Sequence, residues 1–373
     1  MARRREYDPE AEEIFGDYED DEDYDPSQES ESEKVRRQAQ LMREIESQLA
    51  LDPITRDIRQ LTRSVYSLQS TRITLGGRLV ANYFIRIGVK PGTKGTKESE
   101  KANKLLKKLE EDAKMVTDGI AMNIKQLKNL KIEGGFITDD VELVLAMNYL
   151  SVKFAEDQTV KILKKALGNV PIFTEFLEHI PGCGPLMSGI IVSYLNPKKA
   201  DYVTSFWKYV GLDVVEEEDG TFRGRGRYKS HLVMRPYVNA KGQTKEKPSL
   251  SYNPRVKSKL VYVLFDNFQK QKNRGNPYYP VYEHYLHRLE NRPDLMGDEK
   301  PKKAHRLAMA RRYMVKIFLM ELWLFWRDLE GLQITAPYHE AKLGLSHHEF
   351  RANHCLPTPM LPDYFDKINK KIA

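Results

Sequence analysis

The chain has 373 residues, 40% of them hydrophobic, which is enough apolar material to build a core, and its formal net charge is +7. Two cysteines, Cys183 and Cys355, exclude a framework of several disulfides. No run approaches the roughly 18 consecutive apolar residues that span a bilayer, and the first residues have no apolar segment typical of a secretory signal. We therefore expect a cytoplasmic protein with no membrane partner.

The charge is distributed very unevenly along the chain. Residues 1–33 carry 15 acids and 3 bases, a net charge of −12, which leaves +19 for the remainder of a chain whose total is +7. The segment 1–34 is poor in aliphatic residues, so we predict a disordered acidic tail. The basic remainder favours a polyanionic partner, because binding to phosphates releases counterions. The alternative is that it only balances the acidic tail.

A helical N-terminal region is predicted over 35–165. Apolar residues recur at helical spacing from residue 41 to residue 68, interrupted at Asp52-Pro53, where Asp52 suits an N-cap and Pro53 the first helical position. The turn-rich stretch 88–99 is predicted to be a loop. Helices are predicted over 100–131 and 138–167, the latter capped by Thr138-Asp139-Asp140.

A second domain is predicted over 166–345, followed by a tail over 346–373. Its expected elements are a short helix 173–179, a glycine turn and apolar helix 180–195, a helix 202–210 ending at Gly211, a hairpin 214–228 turning at Asp219-Gly220, a polar loop 239–253, and helices 254–272, 277–291 and 302–329. The fold class is therefore mostly α: helical bundle regions, a helix-hairpin-helix domain and one short β-hairpin.

The first candidate site is the turn Pro181-Gly182-Cys183-Gly184-Pro185. Glycines allow a tight turn or a close approach of the backbone to a ligand. The helix that follows starts with unpaired N–H groups and the positive end of its dipole. This combination suits a phosphate of a nucleic-acid backbone. The alternative is a glycine turn between helices with no ligand.

The second candidate site is a basic segment. Its arginines alternate with glycines, which lets the chain follow a phosphate backbone, and we predict that it binds DNA through Arg223, Arg225, Arg227, Lys229 and Arg235. The alternative is a solvated hairpin arm. Lysines and arginines from 241 to 259 extend the positive surface. In the last helix, the first half is basic, and the aromatic second half is predicted to pack in the core.

Catalytic and metal sites are harder to find. The chain has no phosphate-binding Gly-x-x-x-x-Gly-Lys-Ser/Thr, no His-Glu-x-x-His and no Gly-x-Ser-x-Gly, so we assign no catalytic residue and no cofactor. Two alternatives are zinc at His347-His348 and His354-Cys355, and magnesium held by Asp139, Asp140, Glu142 and Asp201.

Three motifs in this order resemble a known family. Ile-Pro-Gly-Cys-Gly-Pro at 180–185, Ser-Phe-Trp-Lys-Tyr-Val-Gly-Leu at 205–212 and Arg-Gly-Arg-Gly at 223–226 are similar to the C-terminal domain of insertion-sequence transposases of the 110/116/902 type. Patterns at 252–257 and 312–319 resemble related stand-alone proteins. The resemblance covers about residues 165–345 and implies a DNA-binding helix-hairpin-helix domain.

The chain departs from that family in its catalytic parts. The family's N-terminal ribonuclease-H-like domain, with four acids, has no counterpart in residues 1–165. Its nucleophilic serine is missing from the loop 213–222, where Thr221 and Ser230 are only nearby hydroxyls. We therefore predict a protein of DNA transposition or recombination, related to mobile elements, and leave its enzyme class open.

The expected partner of the protein is DNA, with RNA as an alternative nucleic acid. A second copy of the chain or a recombination protein is a further expected partner. The alternatives are an active serine or metal-dependent recombinase and a non-catalytic protein–protein scaffold.

Overall fold

The computed structural model describes residues 51–88, 140–239, 243–291 and 302–335, and a few isolated helical positions between 34 and 45 and between 100 and 107. These residues are mostly α-helical, which confirms the predicted mostly α class. They form two small two-stranded sheets, where the sequence predicted one short hairpin, and the helix-hairpin-helix domain stays a prediction. The predictions for the acidic tail 1–33, for most of the helix 100–131 and for the tail 346–373 lie outside the described residues. Within the described part, no helix has the length and apolarity needed to cross a bilayer.

The helices follow one another in the predicted order. The helices are α1 (Pro53–Arg86), α2 (Asp140–Leu167), α3 (Pro171–Glu175), α4 (Pro185–Tyr194), α5 (Val203–Val210), α6 (Pro254–Ser258), α7 (Phe265–Lys270), α8 (Tyr279–Glu290) and α9 (Lys303–Leu329), and the strands are β1 (Val214–Glu216), β2 (Phe222–Gly224), β3 (Leu232–Val238) and β4 (Thr244–Leu250). A π-helical turn, Lys259–Leu264, joins α6 directly to α7.

Helices α1 and α2 pack against each other as an antiparallel pair. α1 begins where the sequence predicts, because the Asp52 side chain accepts a hydrogen bond from the Thr55 backbone N–H at 2.9 Å. One end of the pair joins the main core through the buried Ile58 of α1 and Leu163 of α2. The other end forms a separate small core around Leu79 and Tyr149.

The last helix, α9, lies at the centre of the main core. Its residues from Met314 to Arg327 are almost all buried, so neighbouring elements surround the helix on every side there. This confirms that the aromatic second half of α9 packs in the core. The indole N–H of Trp323 donates to the Ala200 carbonyl at 2.7 Å, and the buried guanidinium of Arg327 donates to the Pro197 and Ala200 carbonyls at 2.7 and 2.8 Å. These bonds satisfy the Ala200 carbonyl and add a second donor to the Pro197 carbonyl, which already accepts the Ala200 backbone N–H at 3.2 Å.

Helix α4 crosses the α1–α2 pair at very short range. A Cβ atom added to Gly189 of α4 would lie 2.5 Å from Thr62 Oγ1 of α1 and 3.3 Å from Leu163 Cδ2 of α2. Gly189 and Thr62 are both buried. The absence of a side chain at position 189 therefore allows three helices to meet.

The two sheets are both hairpins. β1 and β2 pair antiparallel with Val215 opposite Arg223, as the sequence predicts for 214–228. The turn is one residue longer than the predicted two-residue Asp-Gly turn, because the Glu217 backbone N–H bonds to the Thr221 carbonyl and three residues lie between them. The last of the three is Gly220, whose φ is 75°. Part of the predicted polar loop 239–253 instead forms β4, which pairs with β3. The prediction missed this strand because its residues are polar and exposed and show no apolar alternation.

The chain separates into two compact units. Among the described residues, the smaller one includes those between Met234 and Ser249, and the larger one includes Leu51–Val233 and those from Leu250 onward. The described part of the smaller unit is mainly the outer portion of the β3–β4 hairpin, in which Lys247 lies over the Tyr237 ring at 5.3 Å. The domain boundaries proposed from the sequence stay a prediction.

Two glycine-to-alanine changes are predicted to have opposite effects on stability. Gly189→Ala forces the new methyl group against Thr62 and Leu163, so we expect a loss of about 1–3 kcal/mol in the free energy of unfolding. Gly77→Ala in α1 meets nothing within 4 Å and is exposed, so we expect a gain of about 0.5–1 kcal/mol. Urea denaturation of both variants checks this, and equal effects would contradict the close crossing.

Candidate functional site

The predicted glycine turn lies between the short helix α3, which a 3-10 turn at Leu177–His179 extends, and helix α4. Gly182 has φ 105°, and a Cβ added there would lie 2.8 Å from Phe268 Cδ1. The Asn276 side-chain N–H donates to the Pro181 carbonyl at 2.6 Å, and the Asn267 side-chain N–H donates to the Gly182 carbonyl at 3.2 Å. The first half of the turn is therefore fixed against α7 and the segment before α8.

The second half of the turn has a different environment. Gly184 is the exposed N-cap residue of α4, and a Cβ added to it would meet nothing within 4 Å. Pro185 occupies the first turn of the helix and is half-buried. Between these positions Cys183 is buried, and burial raises the pKa of its thiol, which keeps it protonated and unreactive. Phosphate binding by this turn stays a prediction.

The predicted arginines of the basic segment have different roles. The guanidinium of Arg225 donates to both carboxylate oxygens of Asp213 at 2.8 to 2.9 Å and to the Ser251 hydroxyl at 2.7 Å. Arg223 is exposed, and its guanidinium lies 4.9 Å from the Tyr228 ring centre. Arg227 and Lys229 are exposed, and Arg235 is exposed on β3 in the smaller unit.

The buried His231 holds this segment in place. Its Nδ1 accepts the backbone N–H of Gly226 at 3.0 Å, so the ring proton is on Nε2, which donates to the Glu217 carboxylate at 2.9 Å. The ring also makes an edge contact with Tyr228 at 5.1 Å between ring centres. The exposed basic residues Arg223, Arg227 and Lys229 thus lie on an ordered loop.

Beside this loop, charged residues from three parts of the chain interact with Lys257 or with Asp213. We call this set the Lys257 cluster: Asp213, Arg225, Arg227, Lys257, Arg312 and Lys316. The Lys257 ammonium donates to the Arg225 backbone carbonyl at 3.0 Å and lies 4.3 Å from the Tyr252 ring centre. Lys316 of α9 lies 4.5 Å from the Trp207 ring centre.

The electrostatic environment of Lys257 is unfavourable to its charge. Burial, together with repulsion from Arg312, Arg227 and Arg225, lowers the pKa of Lys257 from 10.5 to about 8, and the attraction of Asp213 only partly opposes this. Burial also lowers the pKa of Lys316. An incoming anion would relieve this repulsion.

A second group, which contains arginines, a lysine and tyrosines, lies on the side of helix α6 opposite to Lys257. We call it the Tyr194 cluster: Arg59, Arg63, Tyr66, Tyr194, Tyr209, Arg255 and Lys259. Arg59 donates from Nε to the Ser193 carbonyl at 3.0 Å, with a second bond from Nη2, and its guanidinium lies 5.0 Å from the Tyr194 ring centre. Arg59 therefore caps the carbonyl end of α4.

The other contacts of this cluster also involve its tyrosines. Lys259 lies 3.9 Å from the Tyr66 ring centre, and the Asn253 side-chain N–H donates to the Tyr209 hydroxyl at 3.1 Å. The pKa values of the three tyrosines diverge. Burial raises that of Tyr66 to about 12 and also raises that of Tyr209. For Tyr194, burial acts in the same direction, but hydrogen bonds and charge from Arg63 and Arg255 outweigh it, so its pKa is lowered.

The positive surface predicted from the sequence includes Arg255, Lys257 and Lys259, but it does not include the α1 residues or Tyr194. Arg59, Arg63 and Tyr66 lie at steps of four and three residues, so one helical face carries all of them, and this spacing was a usable signal. Tyr194 gave no such signal, since it ends an apolar helix.

The residues considered for catalysis do not form a site in the described structure. The Thr221 hydroxyl donates to Asp219 at 2.6 Å in the exposed hairpin turn. The buried Glu142 accepts from Asn82 and Arg86 at 3.4 and 3.3 Å. Among described residues, no group of three His, Cys, Asp or Glu side chains comes together as a metal site. Asp139 and the histidines at 347, 348 and 354 lie outside the described residues.

Comparison of this chain with protein-family models, with curated protein sequences and with solved structures gives no match. The resemblance to insertion-sequence transposases therefore stays a prediction that rests on the three motifs.

Two variants of the glycine turn are predicted to differ sharply in stability. Gly182→Ala places a methyl group against Phe268 at a positive φ, so we expect a loss of about 1–3 kcal/mol in unfolding free energy. Gly184→Ala has space and φ −65°, so we expect a change within about 0.5 kcal/mol. Thermal denaturation measures both, and a destabilised Gly184→Ala would show that the turn is packed differently.

The Lys257 amine is predicted to titrate near pH 8 in the folded protein. Between about pH 8 and 10.5 the folded chain then carries one proton fewer at this site than the unfolded chain, so stability rises with pH over that window. Lys257→Met removes this increment. NMR of the isotopically labelled lysine gives the pKa directly, and a value near 10.5 would contradict the proposed environment.

Proposed function

We propose that the protein binds nucleic acid, and DNA in particular, through its phosphate backbone, using the Tyr194 and Lys257 clusters. One observation carries the proposal. Arg59, Arg255 and Lys259 interact with tyrosine side chains, a backbone carbonyl and one another, and among the described residues none of the three has a carboxylate partner. Surface cations that only serve solubility or local stability are usually interspersed with acids.

A polyanion is the ligand that best suits this arrangement. Bringing cations together costs Coulomb energy, and a chain of phosphates both offsets that cost and releases its own counterions on binding. The helix that starts at Pro254 brings Arg255 and Lys259 to one cluster and Lys257 to the other, so a single polyanionic strand is able to contact both. Exposed rings such as Tyr228, beside Arg223, offer surfaces for base stacking.

Binding of this kind has no sequence specificity, because contacts to phosphates position a nucleic acid without reading its bases. The motifs similar to insertion-sequence transposases favour DNA transposition or recombination as the process, with a second copy of the chain or a recombination protein as a further partner. The exposed Arg227 and Lys229 on the ordered loop extend the proposed binding surface beside the Lys257 cluster.

Removal of two cations from the Tyr194 cluster is predicted to weaken binding and to reduce its salt dependence. For Arg255→Gln/Lys259→Gln we expect an affinity loss of about tenfold or more and a salt slope smaller by about 2, one unit for each lost phosphate contact. Fluorescence anisotropy with labelled duplex DNA, single-stranded DNA and RNA at several salt concentrations measures both quantities.

The matched control is Lys161→Gln/Lys165→Gln, which removes the same charge from exposed positions of α2 outside the two clusters. We expect its salt slope to remain close to that of the native chain. Equal slopes for both double variants would place the binding surface elsewhere. Absence of salt-dependent binding to all three nucleic acids would favour the protein–protein scaffold instead.

A further inference from the structure

Tyr194 differs chemically from the other tyrosines of its cluster. It ends helix α4, and its phenol oxygen accepts hydrogen bonds from the side chains of Arg63 and Arg255 while Arg59 lies over its ring. Its side chain is only half-buried, so the oxygen is not sealed in the core. Tyr209 instead receives the neutral Asn253 amide, and Tyr66 has Lys259 over its ring face. Tyr194 is thus the member whose oxygen receives hydrogen bonds from two arginines.

We propose that Tyr194 is a nucleophile that attacks a phosphodiester of bound nucleic acid and forms a covalent phosphotyrosine link. This inference rests on the proposed function, since it requires a phosphate to be held at the Tyr194 cluster. Tyrosine belongs to the side chains able to form covalent intermediates once an adjacent group activates them. Here the activating groups are the guanidinium groups that surround its oxygen.

The reaction is a transesterification that needs no oxidant, reductant or nucleotide. The Tyr194 hydroxyl gives its proton to water, and its oxygen forms a bond to phosphorus while the bond from phosphorus to one sugar oxygen breaks. The released sugar oxygen takes a proton from water. One phosphodiester is exchanged for another, so the energy of the broken bond is kept in the link to the protein and the reverse attack by a sugar hydroxyl can reseal a strand.

The step requires donors to the phosphate oxygens and a phenol that loses its proton readily, and the neighbouring arginines suit both requirements. Arg63 and Arg255, which already point to the Tyr194 oxygen, are placed to donate to the non-bridging oxygens of a phosphate beside it, where negative charge accumulates in the transition state. The same two side chains lower the pKa of Tyr194 against the effect of burial, which increases the fraction of phenolate near neutral pH. In Tyr66 and Tyr209 the shift has the opposite direction.

The test uses the full chain and oligonucleotides that carry one bridging phosphorothiolate, whose sulfur leaving group does not attack the product again. Labelled single-stranded and duplex forms, with the sulfur on the 3′ or the 5′ side, are incubated with the protein and separated on a denaturing gel. We expect a labelled covalent adduct, with mass spectrometry placing the link on Tyr194. Anisotropy measured on the same samples reports binding independently.

Tyr194→Phe is expected to lose the adduct at least a hundredfold at protein concentrations where anisotropy shows the oligonucleotide to be fully bound, while it keeps its circular dichroism spectrum. Tyr202→Phe, at an exposed tyrosine outside the cluster, is the matched control and is expected to retain the adduct. Replacement of Tyr194 by 3-fluorotyrosine, a more acidic phenol, is expected to shift the pH profile of adduct formation to lower pH.

Two results would overturn the inference while leaving the proposed function in place. One is binding of every oligonucleotide with no adduct, and the other is an adduct that persists in Tyr194→Phe. Failure of the native chain to bind any oligonucleotide would overturn both proposals together.

Discussion

The close crossing at Gly189 is the constraint on which the rest of the candidate site depends. Because Gly189 has no side chain, Thr62 of α1 lies directly against α4. Arg59 and Arg63 flank Thr62 on α1, and Ser193 and Tyr194 follow one turn after Gly189 on α4. The same crossing that closes the core therefore brings Arg59 to the Ser193 carbonyl and Arg63 to the Tyr194 phenol. A larger residue at 189 would separate these groups together with the helices.

The structure uses its arginines in two different ways. Arg327 and Arg225 are structural: the first ties backbone carbonyls to the end of α9, and the second forms a paired contact with Asp213. Such residues satisfy groups that would otherwise be left unpaired. Arg59 and Arg255 have tyrosine rings, a phenol and a carbonyl as partners, so their positive charge is not neutralised by a described carboxylate. The excess of positive charge is therefore local, and it lies in the Tyr194 cluster.

The two glycines of the turn at 181–185 have different environments, since one is packed in the protein and the other is exposed. Gly182 is needed because its positive φ and its contact with Phe268 leave no place for a side chain. Gly184, two residues later, faces open space at the start of α4. The proposed role of the turn in binding phosphate thus depends only on the second half, which makes Gly184 the position where function and stability are separable.

The sequence by itself determined the order of the helices, because apolar spacing, caps such as Asp52 and glycine ends such as Gly211 are local signals. It also determined that the aromatic half of α9 is core and that a basic segment begins at Arg223. Only the tertiary structure decided which cations meet. Arg59, Tyr194 and Arg255 are separated by 135 and 61 residues, and no local pattern encodes a contact between such distant positions. The pairing of Arg225 with Asp213 likewise depends on the tertiary structure, because the effect of a charge depends on the groups that surround it. The polar strand β4 forms because β3 lies beside it and pairs with it.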